Sequence, residues 1–343
     1  MGGAGHAAPR VIQRNWRQSN LFFTLIDTYS QKQNQLILKH LIQRRYWPKP
    51  RLHKAIWIVP AAMAILLSAA ACDSSSTSQA PEEDRLQVVT TTALLADLVQ
   101  NVGGDLVNVI ALVPPGADVH SFQSTPADTV ALSRAALVVS NGGGLDQFLD
   151  QVIEGSTSDD VVHILAAEQL LDLNENDPHF WQNPVFTVKY AEGIRDGLIE
   201  ADPENSAGYQ ANFDSYNDRL TKLDFDIAST LSTVDPDRRL LITFHDAFGH
   251  FGARYGWEVT ALVGSDASQV SPGPVVAILE RVREQGVPAV FAEPQFNSGL
   301  LQKAAEEAGI EVGPIYSNVQ NGEIASYIDM MLFNAKSLAR LLR

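Results

Sequence analysis

The sequence predicts an α/β protein of two βα lobes, each with a mainly parallel sheet, around one long helix. Three observations predict it. From Leu86 onward, short β-rich runs alternate with helical stretches, the grammar of parallel βαβ units. A seven-residue apolar stripe at helical spacing interrupts that alternation midway. Hydrophobic residues at 45% against 19% charged describe a folded chain rather than a disordered one.

In the first half, Gln87 to Thr92 reads as a strand. Ala93 to Val102 reads as a helix, with Leu94, Leu95, Leu98, Val99 and Val102 on one face. Val107 to Val113 is the next strand, and Thr125-Pro126 places a capping residue before a proline at a helix start. Ala136 to Ser140, closed by Asn141-Gly142-Gly143-Gly144, and Val161 to Leu165 are further strands. Then Asp202-Pro203-Glu204 opens the long helix with a cap, a proline and an early negative charge. Tyr209, Phe213, Tyr216, Leu220, Leu223, Ile227 and Leu231 form its stripe, ending before Asp235-Pro236. A coiled-coil dimer competes for such a stripe, but three heptads containing aromatics suit packing across two lobes better, in a monomer. The second half offers strands at Leu240–Phe244, Val259–Val263, Ala289–Ala292 and Val312–Tyr316, with helices at Pro274–Gln285, Ser298–Ala308 and Ile324–Leu342.

Charge divides the chain unevenly. The 343 residues carry 25 Lys+Arg and 40 Asp+Glu, for −15 overall. Residues 1–71 hold ten basic side chains and one acid, a charge of +9, which leaves −24 on the remaining 272. So acidic a body argues against nucleic acid as a partner, because phosphate binding needs a basic surface. The single cysteine excludes an internal disulfide and every cysteine-cluster metal site.

That cysteine closes an export signal. Arg51 and Lys54 precede an uncharged run from Ala55 to Ala71, whose last residues, Ser68-Ala69-Ala70-Ala71, are small and lead straight to Cys72. The arrangement resembles a bacterial lipoprotein signal peptide, which implies that Cys72 is acylated and anchors the protein to the cell membrane from outside. Asp73 to Asp84 is Ser/Thr/Pro/acid-rich and reads as a tether. The expected organisation is a leader at 1–50, which has no counterpart in such signals, a signal peptide at 51–71 and a tether at 72–85. An N-terminal lobe at 86–200, a linking helix at 201–235 and a C-terminal lobe at 236–343 follow.

The body contains His120, His163, His179, His245 and His250, in no short-range zinc motif. His245 ends an apolar strand, where open α/β sheets bind ligands. His120 lies in the loop beyond Pro114-Pro115-Gly116, and His179 lies in Asp177-Pro178-His179-Phe180-Trp181. His163, inside a strand, reads as structural; His250, five residues after His245, reads as a core or surface histidine, with support of a ligand as the lesser reading.

These segments carry a resemblance. Val113 to Pro126, including Asp118-Val119-His120-Ser121-Phe122, is similar to the first ligand loop of the zinc/manganese substrate-binding lipoproteins of ABC transporters. Asp177 to Pro184 resembles that family's second ligand segment, and Thr243 to Phe251 its third. Phe291-Ala292-Glu293-Pro294-Gln295-Phe296 and Tyr327 to Asn334 also match, so the likeness covers residues 86–343 in order. The resemblance implies two lobes on a rigid helix, one divalent ion in the cleft between them, and His120, His179 and His245 as ligands. It implies Zn²⁺ rather than Mn²⁺ as cargo, since histidine at the third position goes with zinc, and imidazole suits zinc where hard oxygen suits manganese. The family places an aspartate at the fourth position; Asn318 stands there instead. A carboxylate is expected to neutralise the ion, which leaves Asn318, Glu293 or water for the fourth place. The implied function is capture of Zn²⁺ outside the membrane and delivery to an ABC permease and its ATPase, without catalysis. A zinc hydrolase using Asp246, Glu293 or His250 as base is the rival, and an adhesin or metallochaperone on the same fold is a third reading.

Overall fold

The architecture comes from a computed structural model, which describes residues 85–343 apart from 159, 172–176, 264–272, 274, 275, 277–279, 281 and 285. The leader, the export signal, Cys72, the tether to Asp84 and most of the helix expected at Pro274–Gln285 lie outside the described residues.

The N-terminal lobe is a sheet of β1 (Leu86–Thr92), β2 (Val107–Val113), β3 (Leu137–Ser140) and β4 (Val162–Leu165) in the order β2-β1-β3-β4, every pair parallel. Helices α1 (Ala93–Gly103), α2 (Pro126–Leu132) and α3 (Asp150–Ser156) connect the strands. Strand periodicity decides which face each residue serves. Val88, Leu137 and Val139 face the main core with Leu94, Leu98 and Val99 of α1. Their neighbours Val89, Leu112 and Val138 face the opposite way, onto Leu132, Leu149 and Ile153. The Thr125-Pro126 signal is a working helix start: the Asp128 carboxylate accepts from Thr125 N at 2.6 Å and from its Oγ1 at 2.8 Å.

Helix α4 (Pro184–Ala201) was not anticipated. Its buried face reads Thr187, Tyr190, Ala191, Ile194, Gly197 and Leu198, which has helical spacing but is diluted by small residues. Those small residues are needed, because Gly197 lies against Leu137 and Ile164 with room for no side chain to spare. The long helix, α5 (Ser206–Leu231), starts later than its proline suggested. Pro203–Asn205 forms a single 3₁₀ turn first, and Asp202 accepts from Asn205 Nδ2 and Tyr209 Oη, both at 2.7 Å, instead of from the helix backbone. Its buried residues are the seven of the stripe and no others. They pack against α1, α4 and the C-terminal helix, so the stripe is covered within the chain.

The C-terminal lobe has two parallel pairs, β5 (Leu240–His245) with β6 (Glu258–Val263) and β7 (Ala289–Ala292) with β8 (Glu311–Pro314), and β5 lies beside β7. Helices α6 (Gly249–Tyr255), α7 (Gly299–Ala308) and α8 (Tyr327–Leu341) accompany them. The last strand stops two residues short of Tyr316, because Tyr316 turns to a side chain. Its N–H donates to Asn334 Oδ1 at 2.9 Å and its carbonyl accepts from Asn334 Nδ2 at 2.7 Å.

The lobes are tied at the cleft. Trp181 Nε1 donates to Ser317 O at 2.8 Å, Tyr327 Oη donates to Trp181 O at 2.7 Å, and Gly116 N donates to Val319 O at 3.1 Å. The C-terminal ends of β1, β2, β5, β7 and β8 all open toward this cleft, where a parallel sheet presents its loops.

Candidate metal centre

His120, His179 and His245 meet in the cleft. Each offers a ring nitrogen, and these lie within 4.8 Å of one another. The ring centroids are 6.2 Å apart for His120–His179, 5.9 Å for His120–His245 and 5.5 Å for His179–His245. Among the described residues this is the one group of His, Cys, Asp or Glu gathered closely enough to hold an ion. The cleft around it is lined by Thr92, Asp118, Trp181, Gln295, Phe296, Ser317 and Asn318 besides the three rings.

Local sequence explains each position. Asp118 and Asp177 each stand two residues before a histidine, and each turns back on it: Asp118 Oδ1 accepts from His120 N at 3.0 Å and Asp177 Oδ1 from His179 N at 3.1 Å. That is an Asx turn, which fixes the chain where the histidine departs. The repeated Asp-x-His was legible in the sequence, and its meaning was missed. His245 is the last residue of β5, held in the parallel ladder opposite Val263.

Carboxylates hold two of the rings from behind. Asp177 Oδ1 accepts from His179 Nδ1 at 2.9 Å. Glu293 takes His245 Nδ1 on both oxygens, at 2.8 and 2.6 Å. A carboxylate on Nδ1 fixes the proton there, so Nε2 of each ring presents its lone pair to the cleft. Burial, the largest influence on His179, holds its pKa below the usual 6.5, which keeps the ring neutral. Burial alone would raise Asp177, but hydrogen bonds from the His179 ring and backbone, with the nearby His250, outweigh it, and its pKa is lowered.

The carboxylate expected as a fourth ligand therefore stands one bond further out. Glu293, fully buried, is not in the three-histidine group; its Oε2 also accepts from Ser317 Oγ at 2.6 Å. Asn318 lines the cleft, yet its Oδ1 accepts from Val319 N at 2.9 Å. Two carboxylates, Asp177 and Glu293, thus stand one imidazole away from the cavity. His163 is elsewhere, on β4 with its Nε2 2.9 Å from Ser140 Oγ. His250 is buried, stacked on Phe180 at 4.2 Å, and its Nε2 donates to Asp177 O at 3.0 Å, so it supports the segment that carries His179. Asp246 is exposed.

Comparison with known proteins gives the family and the fold. Residues 88–341 match the family described as ZnuA, zinc-uptake complex component A, periplasmic. The manganese-binding lipoprotein MntA of Halalkalibacterium halodurans is 30% identical over 280 residues, covering 79% of this chain and 93% of the relative. The manganese ABC transporter substrate-binding lipoprotein PsaA of Streptococcus pneumoniae is 28% identical, covering 81% and 95%. The periplasmic zinc-binding protein TroA of Treponema pallidum superposes with a TM-score of 0.70 at 25% identity, covering 75% of this chain and 99% of TroA.

Proposed function

The chain belongs to the ZnuA family of periplasmic zinc-uptake components, and from that premise we propose that it captures Zn²⁺ in the three-histidine cleft and delivers it to an ABC permease and its ATPase. It is a substrate-binding protein of a metal ABC transporter; family members serve transport rather than catalysis. The observation that carries the zinc reading is the donor set. Three imidazoles from separate segments converge, and the carboxylates of Asp177 and Glu293 are spent on the Nδ1 atoms of His179 and His245. Neutral nitrogen donors favour zinc, whereas manganese prefers carboxylate, carbonyl and water oxygens. The relatives named for manganese make this a specific reading rather than an inherited one.

The protein works outside the cytoplasm, as its lipoprotein relatives do, and Cys72 is its lipid attachment point. Among the described residues no helix is long and apolar enough to cross a membrane. Residues 86–200, 201–235 and 236–343 act as lobe, linker and lobe, with His120 and His179 on the first and His245 on the last.

The test is a competition titration of the metal-stripped full chain with Zn²⁺ and Mn²⁺. One Zn²⁺ binds per chain, more tightly than Mn²⁺, and His245→Ala abolishes it. Zinc binding that survives His245→Ala, or tighter binding of Mn²⁺, overturns the reading.

A further inference from the structure

Gln295 carries an unexplained atom. Its Nε2 donates to Ser317 Oγ at 2.8 Å and approaches Glu293 Oε2 at 3.4 Å. Ser317 has already given its own hydroxyl proton to Glu293 Oε2, so it receives from Gln295 and the chain of bonds runs one way, toward the carboxylate. That direction fixes the amide, because reversing it would set Oε1 against an anion with no proton between them. Oε1 therefore points away from Glu293. It is buried, and among the described residues it has no hydrogen-bond partner. A buried carbonyl oxygen without a partner is costly, and each such atom in a folded protein calls for an explanation.

The surroundings give one. Gln295 lines the same cleft as His120, His179 and His245. Of the other oxygens there, both of Glu293 are held by His245 and Ser317, Oδ1 of Asn318 by Val319 N, and Oδ1 of Asp118 by His120 N. Three imidazoles leave a tetrahedral ion one position short. We propose that Gln295 Oε1 fills it as a direct ligand, making the site three nitrogens and one neutral amide oxygen. This rests on the three-histidine reading above and names the donor that completes it. Ser317 acts through Gln295, holding Nε2 so that Oε1 faces the ion. An amide oxygen carries no charge to be protonated or displaced, and the compensating charge stays on Glu293 and Asp177.

The experiment uses the metal-stripped full chain with Zn²⁺, comparing the parent, Gln295→Leu, Ser317→Ala and His245→Ala by competition titration, with a crystal structure of the zinc-loaded parent. Ser317→Ala loosens the amide but keeps its oxygen, whereas Gln295→Leu removes the oxygen. The expected results are an Oε1–Zn distance of about 2.0–2.2 Å and a loss in Gln295→Leu about 10-fold larger than in Ser317→Ala. Equal losses in the two variants, or a zinc ion whose fourth ligand is water or Asn318, overturn the proposal. If His245→Ala keeps zinc, the three-histidine reading itself has failed; if it loses zinc while Gln295→Leu matches Ser317→Ala, the Gln295 assignment alone has failed. Circular dichroism and melting temperature of each metal-free variant separate a lost ligand from a lost fold.

Discussion

Asp177 is the most informative residue to perturb, because it touches the site only through His179. Its carboxylate is 16% exposed and receives the Nδ1–H of a ring that is 2% exposed, so the hydrogen bond is charge-assisted and little screened. Such bonds contribute about 1.5–3 kcal/mol, which corresponds to about 10–100-fold in binding, the range expected for a group that orients a metal-bound histidine. Asp177→Asn keeps an oxygen able to accept from Nδ1 but loses the charge, placing it near the lower end. Asp177→Ala also loses the turn at His179 N and a contact of His250, whose Nε2 lies 3.5 Å from Oδ2, placing it near the upper end. Zinc affinity by chelator competition measures both, with far-ultraviolet circular dichroism as the check on folding. A folded Asp177→Ala that binds zinc within twofold of the parent would refute the reasoning. So would equal losses in the two variants, since charge and geometry would then not be separable contributions.

Five further outcomes are expected. Gly249→Ala places a Cβ 2.7 Å from Asp177 Oδ2, a carboxylate already pinned by His179, so zinc affinity falls several-fold while the melting temperature moves little; an unchanged affinity contradicts the contact. Leu220→Ala cuts into the fully buried stripe of α5 and costs about 2–5 kcal/mol in urea unfolding, with zinc affinity of the folded fraction unaltered. Zinc affinity is level above neutrality and falls in acid, because a bound imidazole must be unprotonated; an affinity unchanged at pH 5 rules the site out. In the metal-free protein the lowered pKa of His179 has its own sign: the unfolded chain takes up that proton first, so stability declines as pH falls through 6.5 and below, measured by melting temperature against pH. Asn318→Asp brings a charged oxygen to the cleft wall and raises Mn²⁺ affinity relative to Zn²⁺, read from paired titrations.

The sequence by itself determined the elements and the ligand candidates. Strand alternation placed Val88 and Val89 on opposite faces before any packing was known, and the spacing of Tyr209 to Leu231 named the buried side of α5 residue by residue. These are local properties, set by the period of the backbone and the polarity of each side chain. Helix α4 escaped because Thr187, Ala191 and Gly197 face inward for fit rather than for hydrophobicity, and a polarity pattern cannot register fit.

Only the tertiary structure decided how charge is arranged around the histidines. Glu293 lies 48 residues from His245, and Gln295 lies 22 from Ser317, so no spacing rule brings them together. The expectation of a carboxylate on the ion followed from charge balance, and charge balance is satisfied equally well one imidazole away. Which of the two holds depends on whether a buried oxygen meets a proton donor first. Glu293 meets the Nδ1–H of His245 and the hydroxyl of Ser317, and Gln295 lines the cleft with a buried oxygen that has no partner among the described residues.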